Sequence, residues 1–259
     1  MANGDFQVAN AGERTNPTGK PVSNRVLLSV SDMEYHAIRP HLEFLSMPPR
    51  LSLYEPNDPL EFVYFPNAGM VSLVIETEDG RTVEVGEVGK DGIAGVPGAV
   101  GMRRCQVREV VQIAGDGFRV RVDALQKVLR SSPQLQQILT RYGVSQGLQI
   151  AQTAACNRLH NIEQRFARWL LITQDRVGSP TFAITQDFLA TMLGTDRPTV
   201  SLAAGMLQKK GAIKWTRSSV QILSRAKLEK CSCECYAAIR EDRYGDGPLR
   251  QGNAFKPDA

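Results

Sequence analysis

The chain has 259 residues, 42% of them hydrophobic, with a formal net charge of +4 and five cysteines. That length allows one large or two ordinary domains, and the apolar content excludes a wholly disordered chain. No apolar run nears the roughly 20 residues of a membrane span. The opening MANGDFQVANAGERTNPTGKP lacks a signal-peptide core, and an odd cysteine count is no secreted disulfide framework. The expectation is a cytoplasmic protein with no membrane partner.

Residues 1–24, rich in Gly, Asn, Pro and Thr, read as a disordered tail. Ser31-Asp32-Met33-Glu34 offers an N-cap and first-turn acids for a short helix. Short β-rich runs then fall at 62–65, 70–75, 82–85, 107–113 and 118–122. Glu78-Asp79-Gly80 forms a hairpin between the second and third, and residues 86–101 read as Gly-rich loop. This spacing predicts a small β-barrel or sandwich over 25–132.

From Pro133 the period becomes helical. Leu135, Ile138, Leu139, Tyr142, Leu148, Ala151, Ala155 and Leu159 recur every three or four residues to about His160. A helix of about 28 residues is about 42 Å long. Its stripe must be buried, and a second copy of itself is the simplest partner, so 133–160 is assigned as a dimerisation helix. Packing against its own barrel is the alternative.

Residues 161–230 carry eleven Lys and Arg (Arg165 to Lys230) against five acids, whereas 25–132 is slightly acidic. Such a bias suits a polyanion partner for the second module. A helix is predicted from Ile162 to about Asp175 and a short strand at 181–184. Two helices follow in ITQDFLATMLGTDRPTVSLAAGMLQKKGAI. Thr185 caps the first, Gly194 turns the chain, and Asp196 caps the second with Pro198 in its first turn. Val200, Ala203, Ala204 and Leu207 form a buried stripe that forces the opposite face outward. Strands at 212–215 and 220–223, with a basic tip at Arg217, make a wing. The candidate DNA-binding residues are Thr185, Gln186, Asp196, Arg197, Pro198, Thr199, Ser201, Leu202, Lys214 and Arg217.

This order of elements, with the LGT-x-R-x-TV core, resembles the Crp/Fnr family of bacterial transcription regulators over about residues 25–225. The resemblance implies an α+β fold: a cyclic-nucleotide-binding-like β-barrel (jelly roll), a long dimerisation α-helix and a C-terminal winged helix-turn-helix. It also implies a homodimer on a two-fold symmetric operator of double-stranded DNA, and contact with RNA polymerase. Arg197 matches the family's guanine-reading arginine and Thr199 a phosphate-contacting position. Pro198 and Leu202 depart from other base-reading positions, so the half-site differs from that of the cyclic-AMP receptor protein.

The segments that hold cyclic AMP in the family correspond to Lys90–Gly95 and Cys105–Val110. They lack the ribose-binding Glu and the phosphate-binding Arg, although Arg103, Arg104 or Arg108 could build an anion site with other geometry. The adenine-contacting positions are Ile150 and Ala151. Cyclic AMP is therefore disfavoured, the effector is unknown, and no cofactor is assigned. No N-terminal cysteine is present to hold an iron–sulfur centre, and His36 and His41 read as surface residues rather than haem ligands.

Residues 231–259 read as a C-terminal helix, Ala226 to about Arg243, and a tail. On that helix Cys231 and Cys235 share a face and Cys233 points away. A dimer could pool them for zinc or redox chemistry, but packing on the winged domain is the simpler reading and no metal is assigned. No Ser/His/Asp set, Walker loop or Rossmann fingerprint supports the rival reading as an enzyme.

Overall fold

A computed structural model describes residues 9–241. Residues 9–24 are not the loose tail their composition suggests. Arg14 is buried and donates to the Leu27 carbonyl (2.6 Å), the Val30 carbonyl (2.9 Å) and the Asp32 carboxylate (2.7 Å). Asn16 Oδ1 accepts from the Thr18 and Lys20 amides, and Asn24 Nδ2 donates to the carbonyls of Pro66 and Gly92. Short amide side chains imitate backbone groups, so the residues that read as disorder are those that lock the turns. Residues 1–8 of the expected tail lie outside the described residues.

Helices α1 (Arg25–Ser29) and α2 (Asp32–Ile38) follow, the second capped by Ser31 as expected. Strands β1 (Glu43–Met47) and β2 (Ser52–Tyr54) carry no clear alternation and were not foreseen. The predicted runs become β3 (Phe62–Pro66), β4 (Met70–Glu76), β5 (Thr82–Val88), β6 (Arg108–Ile113) and β7 (Gly115–Arg121). Helix α3 (Val96–Ala99) lies within the expected loop.

The strands do not close into a barrel. They form two antiparallel sheets, β1-β7-β3 and β2-β6-β4-β5. The chain crosses between sheets at Ala114-Gly115. There a Cβ on Gly115 would lie 2.1 Å from the Ala68 carbonyl oxygen, so only glycine fits the crossing. One apolar cluster, with Tyr64, Val71, Leu73 and Val111, fills the space between the sheets. A second, with Phe65, Phe118 and Leu125, joins the three-stranded sheet to α1, α2 and α4 (Val122–Leu129).

Helix α5 spans Pro133–Leu159, the predicted length. Its first turn is capped from outside: the buried Glu34 carboxylate accepts from the Gln134 and Leu135 amides at 3.0 and 2.7 Å, a favourable charge at the positive helix end. The stripe assigned to dimerisation divides in two. Leu135, Leu139 and Tyr142 are buried in the chain's own core and leave no surface for a partner, while Ile138 packs beside them half-buried. Leu148, Ala151, Ala155 and Leu159 are exposed, together with Val144. Midway along α5 the apolar face changes sides, because the face toward the body continues with polar Gln146 and Thr153.

The C-terminal unit comprises α6 (Ile162–Val177), β8 (Thr181–Ala183), α7 (Gln186–Met192), α8 (Arg197–Lys209), β9 (Ile213–Trp215), β10 (Ser219–Ile222) and α9 (Arg225–Cys231). Asn161 and Gln164 form a reciprocal capping box at the start of α6. Phe166, Trp169, Leu170, Val200, Ala203, Leu207 and Val220 build one core under the sheet β8-β10-β9. The single C-terminal helix expected from Ala226 is broken. Ser232 caps α9, and a new helix α10 (Cys235–Glu241) starts after Glu234. Cys231 and Cys235 consequently share no helix face; residues 242–259 lie outside the described residues.

The two units meet through Met70, fully buried in the C-terminal core with Ile113 packed against it, and through polar contacts. Trp169 Nε1 donates to Glu84 Oε1 at 2.7 Å, and Arg176 pairs with Asp91 at 2.8 Å, all four being buried. Burial and the neighbouring Glu87 hold the Glu84 carboxyl well above the usual carboxylate range. Met192 adds a small apolar contact with Val74 and Val110.

Candidate nucleic-acid interface

Local chemistry sets this region. Thr185 accepts from the Phe188 amide at the start of α7. Gly194, at φ 57°, makes the left-handed turn after it, which a side chain would strain. Asp196 Oδ1 accepts from the Thr199 amide at 2.7 Å, and that bond holds its carboxyl below the usual range. Pro198 sits in the first turn of α8, where amide hydrogens have no helical acceptor.

Val200, Ala203, Ala204 and Leu207 are buried as predicted, and the opposite face is open. Arg197, Pro198, Ser201 and Leu202 are exposed, Thr199 and Gly205 half-buried. Leu202 is 70% exposed. A large apolar side chain left in water on this face suits contact with a thymine methyl group.

Arg197 Nε donates to Gln186 Oε1 at 3.2 Å, and its Nη1 lies 3.6 Å from the Asp187 carboxylate. Ser201 Oγ donates to the same Gln186 oxygen at 3.2 Å. Arg217 and Ser218 at the wing tip complete a concave surface with Thr185, Gln186, Asp187 and Arg197. Arg197 and Asp187 are 60% and 73% exposed, so their pair is screened and weak. It orients the guanidinium without holding it back from a base edge.

Of the ten predicted residues, Thr185, Gln186, Arg197 and Arg217 meet in this one groove. Asp196, Pro198, Thr199, Ser201 and Leu202 continue it along α8. Lys214 is exposed on β9, opposite Gln221, and does not line the groove. Asp187 and Ser218 were missed. Asp187 had a signal as a first-turn acid next to Gln186, whereas Ser218 had none beyond its place in the wing tip.

Residues 164–231 match the Crp-like helix-turn-helix domain family. The C-terminal unit is a Crp-like helix-turn-helix domain. Solved structures similar over most of the chain extend the likeness to the whole architecture. FixK2 from Bradyrhizobium japonicum is 18% identical, covering 74% of this chain and 98% of its own, with a TM-score of 0.64. The c-di-GMP-responsive global regulator CLP from Xanthomonas campestris is 19% identical over 75% of this chain and all of its own, at 0.60. A CooA mutant from Carboxydothermus hydrogenoformans is 14% identical over 73% and 87%, at 0.54. No curated protein matches the chain in sequence. The family match thus covers the C-terminal unit, and the solved structures share the fold of the whole chain, its two-sheet N-terminal unit included. Among the described residues no helix is long and apolar enough to cross a membrane.

Proposed function

We propose that the chain acts as a homodimer, by binding rather than by catalysis, on a two-fold symmetric operator. The observation that carries this reading is the open N-terminal turn of α8, where Arg197 stands beside Gln186 and the wing's Arg217 with nothing packed over it. Arg197 donates two bonds to guanine O6 and N7. The amide-bearing starts of α7 and α8, with Thr185, Thr199 and Arg217, meet phosphates. The outward stripe of α5 (Val144, Leu148, Ala151, Ala155 and Leu159) joins two copies, presenting two α8 helices to half-sites about one helical turn apart. On the promoter such a dimer meets RNA polymerase.

The two-sheet domain senses an effector other than cyclic AMP. Supporting this, Asp91 in the strap corresponding to the nucleotide site is engaged by Arg176. The Tyr142 ring fills the space over Gly92, where a Cβ would lie 2.1 Å from its hydroxyl. Two of the three arginines that could have built another anion site are engaged elsewhere: Arg104 donates to the Asn57 carbonyl and Arg108 pairs with Glu55.

Selection of duplexes from a random pool, followed by fluorescence anisotropy, tests the reading. Affinity for the selected duplex is expected to fall steeply with salt, by roughly 0.9 in the log–log slope per phosphate contact. Arg197→Ala is expected to cost about 1–3 kcal/mol of base discrimination while sedimentation still shows a dimer. Unchanged operator preference in that variant removes α8 as the reader.

A further inference from the structure

We propose that Cys156, His160, Cys233 and Cys235 form a structural zinc site that fastens the end of α5 to the segment behind the winged domain. Cys156 and His160 are four residues apart at the last turn of α5, so they face the same way. Cys233 lies in the break between α9 and α10, and Cys235 begins α10. The four ligand atoms all lie within 4.8 Å of one another. Cys156 Sγ and Cys233 Sγ are 3.5 Å apart, and Cys235 Sγ and His160 Nδ1 are 3.6 Å apart. A tetrahedron with Zn–S near 2.3 Å and Zn–N near 2.0 Å has edges of about 3.5–3.8 Å.

The surroundings are those of a metal rather than of a core. The three cysteines are buried with one another and, among the described residues, form a cluster that contains no other hydrophobic residue. His160 turns its other nitrogen, Nε2, to Glu234 Oε1 at 3.2 Å, which fixes Nδ1 as the free lone pair. Gln152 Nε2 donates to Cys235 Sγ at 3.0 Å, a contact at the edge of the cluster. Arg168 is buried, donates to Thr153 one turn before Cys156, and has no carboxylate partner among the described residues. Three thiolates, one neutral imidazole and Zn²⁺ sum to −1, the charge that this guanidinium would neutralise.

Binding replaces three thiol protons with one Zn²⁺ and releases the protons to solvent; no electron moves. With four protein ligands the site is closed, which fits a fastening role. Cys231 stands apart from the cluster and serves as the control.

The full chain, purified under reducing conditions, tests this by elemental analysis and by Co²⁺ titration. The expected result is one zinc per chain, displaced by Co²⁺ with the intense visible bands of a tetrahedral thiolate site. Cys233→Ser loses the metal and Cys231→Ser retains it. Glu234→Gln weakens binding about 10–100-fold. The proposal is overturned by substoichiometric metal with Co²⁺ remaining as the aquo ion, by an iron–sulfur chromophore, or by a Cys156–Cys233 disulfide in peptide mapping of the protein as isolated. Wild-type stoichiometry decides the matter even if a cysteine variant fails to fold, and every readout is independent of DNA binding.

Discussion

The two halves of the molecule place their charge oppositely. In the winged unit the core is apolar and the charged residues that matter (Arg197, Asp187, Arg217) stand in solvent. In the two-sheet unit Glu84, Glu87, Asp91, Glu109 and Gln112 are buried, several of them on the sheet face covered by α5, α6 and α7. The joint between them carries both kinds of contact: Met70 sits fully buried in the winged core, while Trp169 is hydrogen-bonded to Glu84 and Arg176 is paired with Asp91. The difference makes the stability of the sheet unit and its joint depend on buried charge, and that of the winged core on apolar packing.

The sharpest way to break this comparison is Arg176→Ala. It leaves Asp91 buried without its guanidinium and Gln149 without a donor, and is expected to destabilise the chain by about 3–5 kcal/mol in urea denaturation. Replacing both Arg176 and Asp91 by apolar residues of similar size should recover most of that loss. An unaffected Arg176→Ala protein would show that the joint is held elsewhere. In the winged unit, Leu207→Ala removes a fully buried side chain and is expected to lower stability by about 2–5 kcal/mol. It should leave the pH dependence of stability unchanged, and a changed pH profile would contradict the apolar character of that core.

Glu109 gives the opposite signature. It is buried, and burial raises its carboxyl from an ordinary 4.5 to about 7, although it accepts from the Gly95 amide. The folded protein keeps a proton that the unfolded chain releases. The stability tied to this group is therefore intact below about pH 4.5, falls as the pH climbs toward 7, and levels off above it. The span corresponds to about 3 kcal/mol. Glu109→Gln keeps an acceptor for Gly95 and should match the wild type at pH 4, yet exceed it by about that amount at pH 8. Parallel stability curves for the two proteins would refute this.

The winged unit was legible because its signals are local. Caps at Thr185 and Asp196, turns at Gly194 and Gly211, and the stripe from Val200 to Leu207 all lie within a few residues of what they specify. The two-sheet unit was legible only in part. β4 and β5 declared themselves by β-branched residues, but Glu43-Phe44-Leu45-Ser46-Met47 alternates poorly because β1 is an edge strand with most of its side chains in solvent. Glu84 is buried against Trp169 of α6 and Glu109 between the sheets beside Gly95, and no local pattern announces either. The N-terminal segment failed for a related reason: Asn16 and Asn24 are ordered by carbonyls distant in the chain. In α5 the recurrence from Leu135 to Leu159 was real, but a one-dimensional stripe cannot say which residues meet the chain's own core. The sulfur cluster stayed hidden because Cys156 and Cys233 are 77 positions apart.

The reversal of apolar faces along α5 has a mechanical consequence. Its first half is keyed into the sheet domain by Leu135, Leu139 and Tyr142, and its second half presents Val144, Leu148 and Leu159 to the opposite side. Successive residues advance by about 100° around a helix, so a small roll of the keyed half turns the outward half through the same angle. In the proposed dimer such a roll would change the pitch between the two α8 helices.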